Sequence, residues 1–528
     1  MTTSPPSANR QIARAAGTVM FAIVLGQITG LIRGILVARA FPATELDAFF
    51  AANRVSETLF MLLAAGALGS AFIPTFTGFL AKDDKVSAWK LASSIANLLV
   101  LTLSLIAVLA AVFAPQIVRY ALAPGLAADP VLFPLTVNLL RIQLVSAVLF
   151  GLGGLIVGIL NAHQIFLIPA LTPSMYQLGM IFGVLVLAPS MGIFGLAWGV
   201  VIGAALYLLL QIPSLLKQRG TYSPTLGLED AVVREVFRLM GPRVLGVAVV
   251  QLNFWVNTWL ASQMAPGSVA GLQYGFSLML MAQAAIAQSV AIAAMPTFSA
   301  QFALGKLEEM RASLASSIRG VIFLALPASI GLILLREPIV AMLYQRGQFD
   351  ARMTELVAWA LLWYAAGMIG HSILEVLTRA FYAQHDTKTP VIIGGLAMGL
   401  NVVFSFSFSA LFRQIGWMPH GGLALANTLA TALEVTALLV IMRKRLNGIN
   451  EIYLLRGGLL STGGTLVMAA AVLFCLRIFS DQPAWLLTLS GIVAGGLAYS
   501  LTMATLRVPE LDILINAIRR RLIRPGDR

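Results

Sequence analysis

Apolar runs of about 20 residues follow one another from Ala16 to Leu506, separated by short polar connections. Each run is long enough to cross a ~30 Å hydrocarbon core as a helix. The pattern predicts fourteen spans, roughly at 16–40, 47–80, 89–113, 133–160, 168–188, 192–215, 236–262, 268–300, 314–335, 353–381, 389–411, 421–443, 457–478 and 484–506. Pro and Gly mark many of the ends, as at Pro124-Gly125, Pro213 and Pro266-Gly267. The runs are too long and too evenly apolar for barrel strands. The expected fold class is therefore an all-α polytopic membrane protein.

Within that series the pattern repeats. FIPTFTGFLAK (Phe72 to Lys82) recurs as AMPTFSAQFALGK (Ala294 to Lys306), and Gly17 with Gln27 recurs as Gly241 with Gln251. Asn161 to Pro169 is echoed by Tyr382 to Pro390, and Gly195-Leu196-Ala197 by Gly422-Leu423-Ala424. The common offset equals six spans, an even number, so the two copies keep one orientation across the membrane. Parallel repeats of this kind place a substrate path between two lobes. The expected organisation is an N-terminal tail at 1–15, a first lobe at 16–215, a linker at 216–235 and a second lobe at 236–445. Two further spans follow at 446–507, outside the repeat, and a basic amphipathic tail at 508–528.

Composition agrees. Hydrophobic residues make up 59% of the 528 and charged residues only 11%, with a mean hydropathy of +0.88. A soluble protein of this size needs more charge to cover its surface. The net charge of +13 would point to nucleic acid on a soluble protein. Here it reads as cytoplasmic loops rich in Lys and Arg, and no nucleic-acid partner is expected. With the N-terminus inside, 24 of the 35 Lys and Arg fall on the cytoplasmic side. Only Arg119, Arg336, Arg346, Arg352 and Arg413 fall in outer loops. This asymmetry predicts cytoplasmic termini. The single Cys475 excludes an internal disulfide.

Two stretches read as interfacial. In LEDAVVREVFRLM, the residues Val232, Val233, Val236, Phe237 and Met240 recur at helical spacing and are expected along the cytoplasmic surface. The tail carries Leu511, Leu514, Ile518 and Leu522 on one stripe, with Arg519, Arg520 and Arg521 near its end. That combination suits anionic headgroups.

The candidate chemistry lies in charges at membrane depth. An Arg at the centre of a span costs about 2.5–3.5 kcal/mol on insertion scales, so it normally faces a partner or a watery cavity. Arg33, Arg54 and Glu57 sit inside the first two spans. Gly26 and Gly30 precede Arg33 on roughly one helical face and clear space beside it. Asp47, Arg54 and Glu57 share a side of the second helix. This hairpin is expected to line a polar cavity between the halves of a transporter, with Arg33, Asp47, Arg54, Glu57 and Arg141 as substrate-binding candidates. A guanidinium suits phosphate oxygens in geometry as well as charge. His371, Glu375 and Arg379 form a row at i, i+4, i+8. That row, with Asn253, Asn257 and Glu434, supplies candidates for ion or proton coupling. Close Gly spacings, such as Gly195, Gly199 and Gly203, suit tight helix packing or a hinge. No nucleotide-binding loop, paired catalytic carboxylates, metal-spaced His or Cys, or nucleophile elbow is present in the sequence. Enzymatic chemistry, a cofactor and a metal are not expected.

Several of these stretches carry a resemblance. LIRGILVARAF followed by DAFF, GALGSAFIPTF, ILNAHQIFLIPALTP, MGPRVLGVAVVQLNFWVNT, AAMPTFS, LYQRGQF and FYAQHDTKTP together resemble the MurJ/MviN-type lipid II flippases. These belong to the wider superfamily of multidrug, oligosaccharidyl-lipid and polysaccharide exporters. The resemblance runs from about Thr18 to Arg445. It implies a fourteen-helix inner-membrane protein that moves a polyprenyl-diphosphate-linked peptidoglycan precursor to the outer leaflet by alternating access. A cationic cavity for the headgroup and a drive from membrane potential or a Na+ or H+ gradient are implied with it. So are a role in cell shape and proximity to cell-wall synthesis proteins. Arg33 and Asp47 fall on motif positions of the family. Other positions depart from it: Gln27, Phe60-Met61 and Ser277 stand where arginines are expected, Gly34 and Ala65 where acidic residues are, and Glu375 where the residue is often basic. Two competing functions are an exporter of drugs or organic cations and a non-transporting envelope scaffold.

Overall fold

The computed structural model describes residues 8–62 and 68–512, and of residues 8–21, 23, 68–71 and 242 the backbone alone. The chain forms two compact units. The first runs to Val269 and takes in Arg346–Phe349; the second holds Ala270–Gln345 and the residues from Asp350 onward. No strand occurs among the described residues.

In the first unit the spans are α1 (Ala8–Ala40), α2 (Ala43–Phe60), α3 (Leu68–Ala81), α4 (Lys85–Val112), α5 (Leu132–Ala162), α6 (Leu167–Met191), α7 (Ile193–Leu216) and α8 (Ala231–Ser262). The second unit carries α9 (Ser268–Ala303) from Ala270 onward, α10 (Leu307–Leu334), the short α11 (Arg336–Tyr344), α12 (Ala351–Ala383), α13 (Lys388–Gln414), α14 (His420–Arg445), α15 (Glu451–Ile478) and α16 (Ala484–Thr505). Among the described residues, 12 helices are long and apolar enough to cross a membrane. They match the third to fourteenth expected spans one for one. The first two expected spans coincide with α1 and with α2 and α3, parts of which lie outside the described side chains or residues. The chain is a multi-pass helical membrane protein.

Packing in the first unit brings α1 onto α6, α2 onto α5, and α6 onto α7. The last contact is made backbone to backbone. A Cβ on Gly183 would lie 2.6 Å from the Gly195 carbonyl oxygen, and one on Gly199 would lie 2.9 Å from Gly183 Cα. Small residues permit this approach where lipid supplies no hydrophobic drive between helices. In the second unit α14 packs on α12 and α13, α10 on α12 and α15, and α15 on α16.

The expected interfacial stripe behaves otherwise. Asp230 caps Val232 N at 3.0 Å, and α8 runs unbroken from Ala231. Val233, Val236 and Met240 are buried against Phe72, Phe76, Leu91, Ala92 and Ile95. The apolar spacing is as expected, but its partner is α3 and α4 rather than a lipid surface. The preceding stretch, 217–230, is irregular and lies along α4. Asn97 donates to the carbonyls of Ser223 and Thr225 and accepts from the Tyr222 hydroxyl, while Lys90 pairs with Asp230 at 3.3 Å. Two hydrogen bonds to backbone carbonyls, one between side chains and an ion pair thus hold these residues to protein.

At the other end of the chain, the helix opened by Pro509 is described as far as Asp512. Glu510 reaches Arg319 on α10, and Leu511 joins the apolar cluster of Phe323, Met468, Tyr499 and Met503. The basic run Arg519–Arg521 lies outside the described residues.

Candidate functional site

The first unit gathers its membrane-depth charges around α1, α2 and α6. Arg33 on α1 is half-buried. Its Nη1 lies 3.8 Å from Met180 Sδ on α6, and its Nε is enclosed without a protein partner. Among the described residues no carboxylate stands within ion-pair distance of it. Tyr176, one turn before Met180, lies within electrostatic reach of both Arg33 and Glu57. The candidates Arg33 and Glu57 therefore share one electrostatic neighbourhood, the patch that includes Tyr176.

Arg54 and Glu57 form an ion pair at 2.9 Å along α2, with 12% and 39% of their side chains exposed. The Arg54 guanidinium also lies over the Phe254 ring, 5.0 Å from its centre. Behind this pair, Thr58 stitches α2 to α8. Its hydroxyl donates to the Arg54 carbonyl at 2.7 Å and accepts from Trp255 Nε1 at 2.8 Å. On the opposite side of α2, the Ser56 hydroxyl bonds the Gln143 carbonyl at 2.8 Å. The helix carrying the pair is thus fixed to neighbours on both flanks.

Asp47 sits apart from this patch. It is 3% exposed, and its Oδ2 accepts from Gly267 N at 2.6 Å. The carboxylate is taken up by the turn that starts α9, where an acid suits the free amides of a helix N-terminus. Nearby in sequence, the Arg39 carbonyl accepts from Gln348 N at 3.0 Å. There Gly347 holds φ +67°, and a side chain in its place would collide with Arg39. Arg141 is exposed on α5, and its Nε donates to the Ala111 carbonyl at the end of α4. That bond suits a cation at a helix C-terminus.

The coupling candidates split into separate contacts. His371 Nε2 lies 3.0 Å from Asn427 Oδ1 and 3.4 Å from Thr431 Oγ1, both on α14. Glu375 pairs instead with Arg379 at 2.5 Å along α12. Glu434 is 8% exposed, with its Oε1 facing Gly394 on α13. Asn257 donates to Asn253 at 3.3 Å within α8, in the first unit. No group of His, Cys, Asp and Glu suited to a metal occurs among the described residues.

Sequence reasoning passed over Ser174 and Gln177, the α6 residues that face the glycines before Arg33. Uncharged polar residues in an apolar run carry no signal until the facing helix is known.

Residues 37–492 match the family described as Lipid II flippase MurJ. The chain belongs to the lipid II flippase MurJ family. The lipid II flippase MurJ of Burkholderia cenocepacia is 31% identical over 439 residues, 82% of this chain and 84% of that protein. The probable lipid II flippase MurJ of Vibrio cholerae is 28% identical over 514 residues, covering 93% and 95%. Among solved structures, a lipid II flippase MurJ in an inward closed conformation superposes with a TM-score of 0.79 at 25% identity, over 96% of this chain and 99% of that one. An inward-facing multidrug resistance MATE family transporter aligns with a TM-score of 0.69 at 15% identity. That second likeness concerns the fold alone. In the region just described, Gln27 and Gly34 flank Arg33 in the sequence, and Phe60-Met61 close α2.

Proposed function

We propose that this protein is a lipid II flippase, moving a polyprenyl-diphosphate-linked cell-wall precursor from the inner to the outer leaflet of the bacterial cytoplasmic membrane. Family membership over most of the chain carries this reading. The further proposal is that Arg33 takes the diphosphate. What supports it is a guanidinium inside an apolar span with a sulfur neighbour and, among the described residues, no carboxylate at ion-pair distance. Such a group has charge to offer an anion. Arg54 and Glu57 assist from α2, with Arg54 free to exchange a half-exposed carboxylate for phosphate. Asp47 and Arg141 hold connections rather than substrate.

The lobes at 16–215 and 236–445 alternate access, with both termini cytoplasmic. No cofactor or catalytic step is needed. Drive comes from the membrane potential or a cation gradient, with His371, Glu375, Asn253, Asn257 and Glu434 as the candidates that feel it. Cell-wall synthesis proteins are the natural neighbours.

The test is depletion of the host's lipid II flippase with this gene as sole replacement. Wild type should sustain wall synthesis and outer-leaflet precursor, whereas Arg33→Ala, inserted at normal levels, should not. Full activity of Arg33→Ala refutes the site. One observation favours a second reading: the neutral residues Gln27, Phe60-Met61 and Ser277 in place of arginines suit a non-transporting envelope protein. Failure of wild type to complement or to translocate lipid II in vesicles would select it.

A further inference from the structure

Where α1 packs on α6, three positions of one helix meet three of the other. Gly26 faces Ser174, with a built Cβ 3.7 Å from the hydroxyl; Gly30 faces Gln177, 3.6 Å from its Nε2; and Arg33 reaches Met180. All three polar groups on this seam have spare capacity. Ser174 is 1% exposed and its Oγ has no protein partner. Gln177 Oε1 and Arg33 Nε are likewise enclosed and unpartnered. The large majority of buried polar side-chain atoms are hydrogen-bonded, and each exception asks for a partner that the protein does not supply. Three on one seam, spaced about a turn apart, favour a shared one.

The local backbone favours the same conclusion. Pro173 has no N–H to offer the preceding turn, and the Thr172 hydroxyl bonds the Pro169 carbonyl at 2.7 Å in its stead. The turn carrying Ser174 is thereby satisfied without drawing on Ser174 itself.

We propose that Ser174 and Gln177, beside Arg33, form a subsite for the hydroxyl and acetamido groups of the sugar attached to the substrate's diphosphate. The inference rests on the flippase reading above and adds a sugar-reading element to it. A glycan offers alternating donors and acceptors, which a hydroxyl, an amide oxygen and a guanidinium N–H can meet. The spacing fits. Gln177 is one turn from the residue Arg33 touches, roughly 4.5 Å along the axis at 1.5 Å per residue. A sugar bonded directly to a phosphate held at Arg33 falls at that distance. Gly26 and Gly30 set no side chain of their own between the α1 backbone and these two groups.

The experiment compares two probes on purified full-length protein in nanodiscs: lipid II, and the same polyprenyl diphosphate without sugars. Gln177→Leu should weaken lipid II binding about tenfold and leave the sugar-free lipid unchanged. Ser174→Ala, which removes a single atom and keeps the fold, should shift the same ratio in the same direction. Arg33→Ala should weaken both probes together. If wild type binds lipid II but Gln177→Leu and Ser174→Ala leave the ratio of the two affinities unchanged, the subsite is wrong and the flippase reading stands. If wild type binds neither probe, both are overturned.

Discussion

Replacing Glu510 with Ala should release the C-terminal helix from the second unit. Arg319 and Glu510 are 191 residues apart, with 6% and 10% of their side chains exposed. Two nitrogens of one guanidinium meet two carboxylate oxygens, Nε to Oε1 at 2.5 Å and Nη2 to Oε2 at 3.0 Å. Tyr453 lies beneath, its ring centre 4.3 Å from the guanidinium carbon. Gly457 makes room: a Cβ there would sit 2.6 Å from Arg319 Cδ. Removing one partner of such a pair costs about 3–5 kcal/mol, because the other charge stays behind in a dry site. Tyr453 remains and softens that cost, so about 3 kcal/mol is expected. This corresponds to an opening equilibrium raised on the order of 100-fold, at 1.4 kcal/mol per factor of ten. Hydrogen exchange of the amides at 508–512, and of 451–461 around Tyr453, reads this directly in nanodiscs. The double variant Arg319→Met with Glu510→Met should restore wild-type protection, since apolar isosteres often match or exceed a buried pair. Exchange in Glu510→Ala within threefold of wild type would refute the reasoning.

Two other perturbations test the frame around the site. Gly199→Leu should abolish folded expression, because its Cβ alone would lie 2.9 Å from Gly183 Cα and the α6–α7 backbones would have to part, a cost of at least 1–3 kcal/mol; normal yield of monodisperse protein would contradict it. In the loop after α12, burial pushes the Asp386 carboxyl up, but the Thr389 hydroxyl and amide and the Arg445 guanidinium outweigh it and hold the group at about 2, below its ordinary 3.8. A lowered carboxylate stabilises the fold above its unfolded value and loses that effect as pH falls through its folded one. The thermal stability gap between wild type and Asp386→Asn should therefore be constant from pH 8 down to about 5 and close between about pH 4 and 2. A gap that closes near neutral pH would rule this out.

The spans and their order were legible because a ~30 Å slab imposes one length on every run, whatever the neighbours. The glycines at 195, 199 and 203 were legible as packing residues for a similar reason: no other side chain allows that approach. What a stripe packs against was not legible. Val233, Val236 and Met240 have the spacing of a surface helix, and that spacing is the same whether the far side is lipid or α3 and α4. Asp47 shows the other limit. Its register with Arg54 and Glu57 is as read, but seven residues amount to about 10 Å of helix rise, enough to carry it to a turn at the helix end. Contacts over large separations, such as Asp47 with Gly267 or Arg319 with Glu510, have no local signal at all. The same holds for Ser174 and Gln177, whose meaning comes from the helix opposite.

The two guanidinia near α6 are unequal, and the inequality bears on mechanism. Arg54 is 12% exposed and already carries a carboxylate, but that carboxylate is 39% exposed. Solvent screens such a pair, and its net worth falls toward the 0–1 kcal/mol of surface bridges. Among the described residues Arg33 has no carboxylate at ion-pair distance, so its insertion cost of about 2.5–3.5 kcal/mol is not offset in that way. On the flippase reading proposed above, a diphosphate would gain most from Arg33 and lose little by displacing Glu57 from Arg54. The first guanidinium would then set affinity, and the second would alternate between a carboxylate and a phosphate at small cost either way. Two such guanidinia would suffice to hold an anion on this proposal, with part of the remaining recognition passing to uncharged groups on α6.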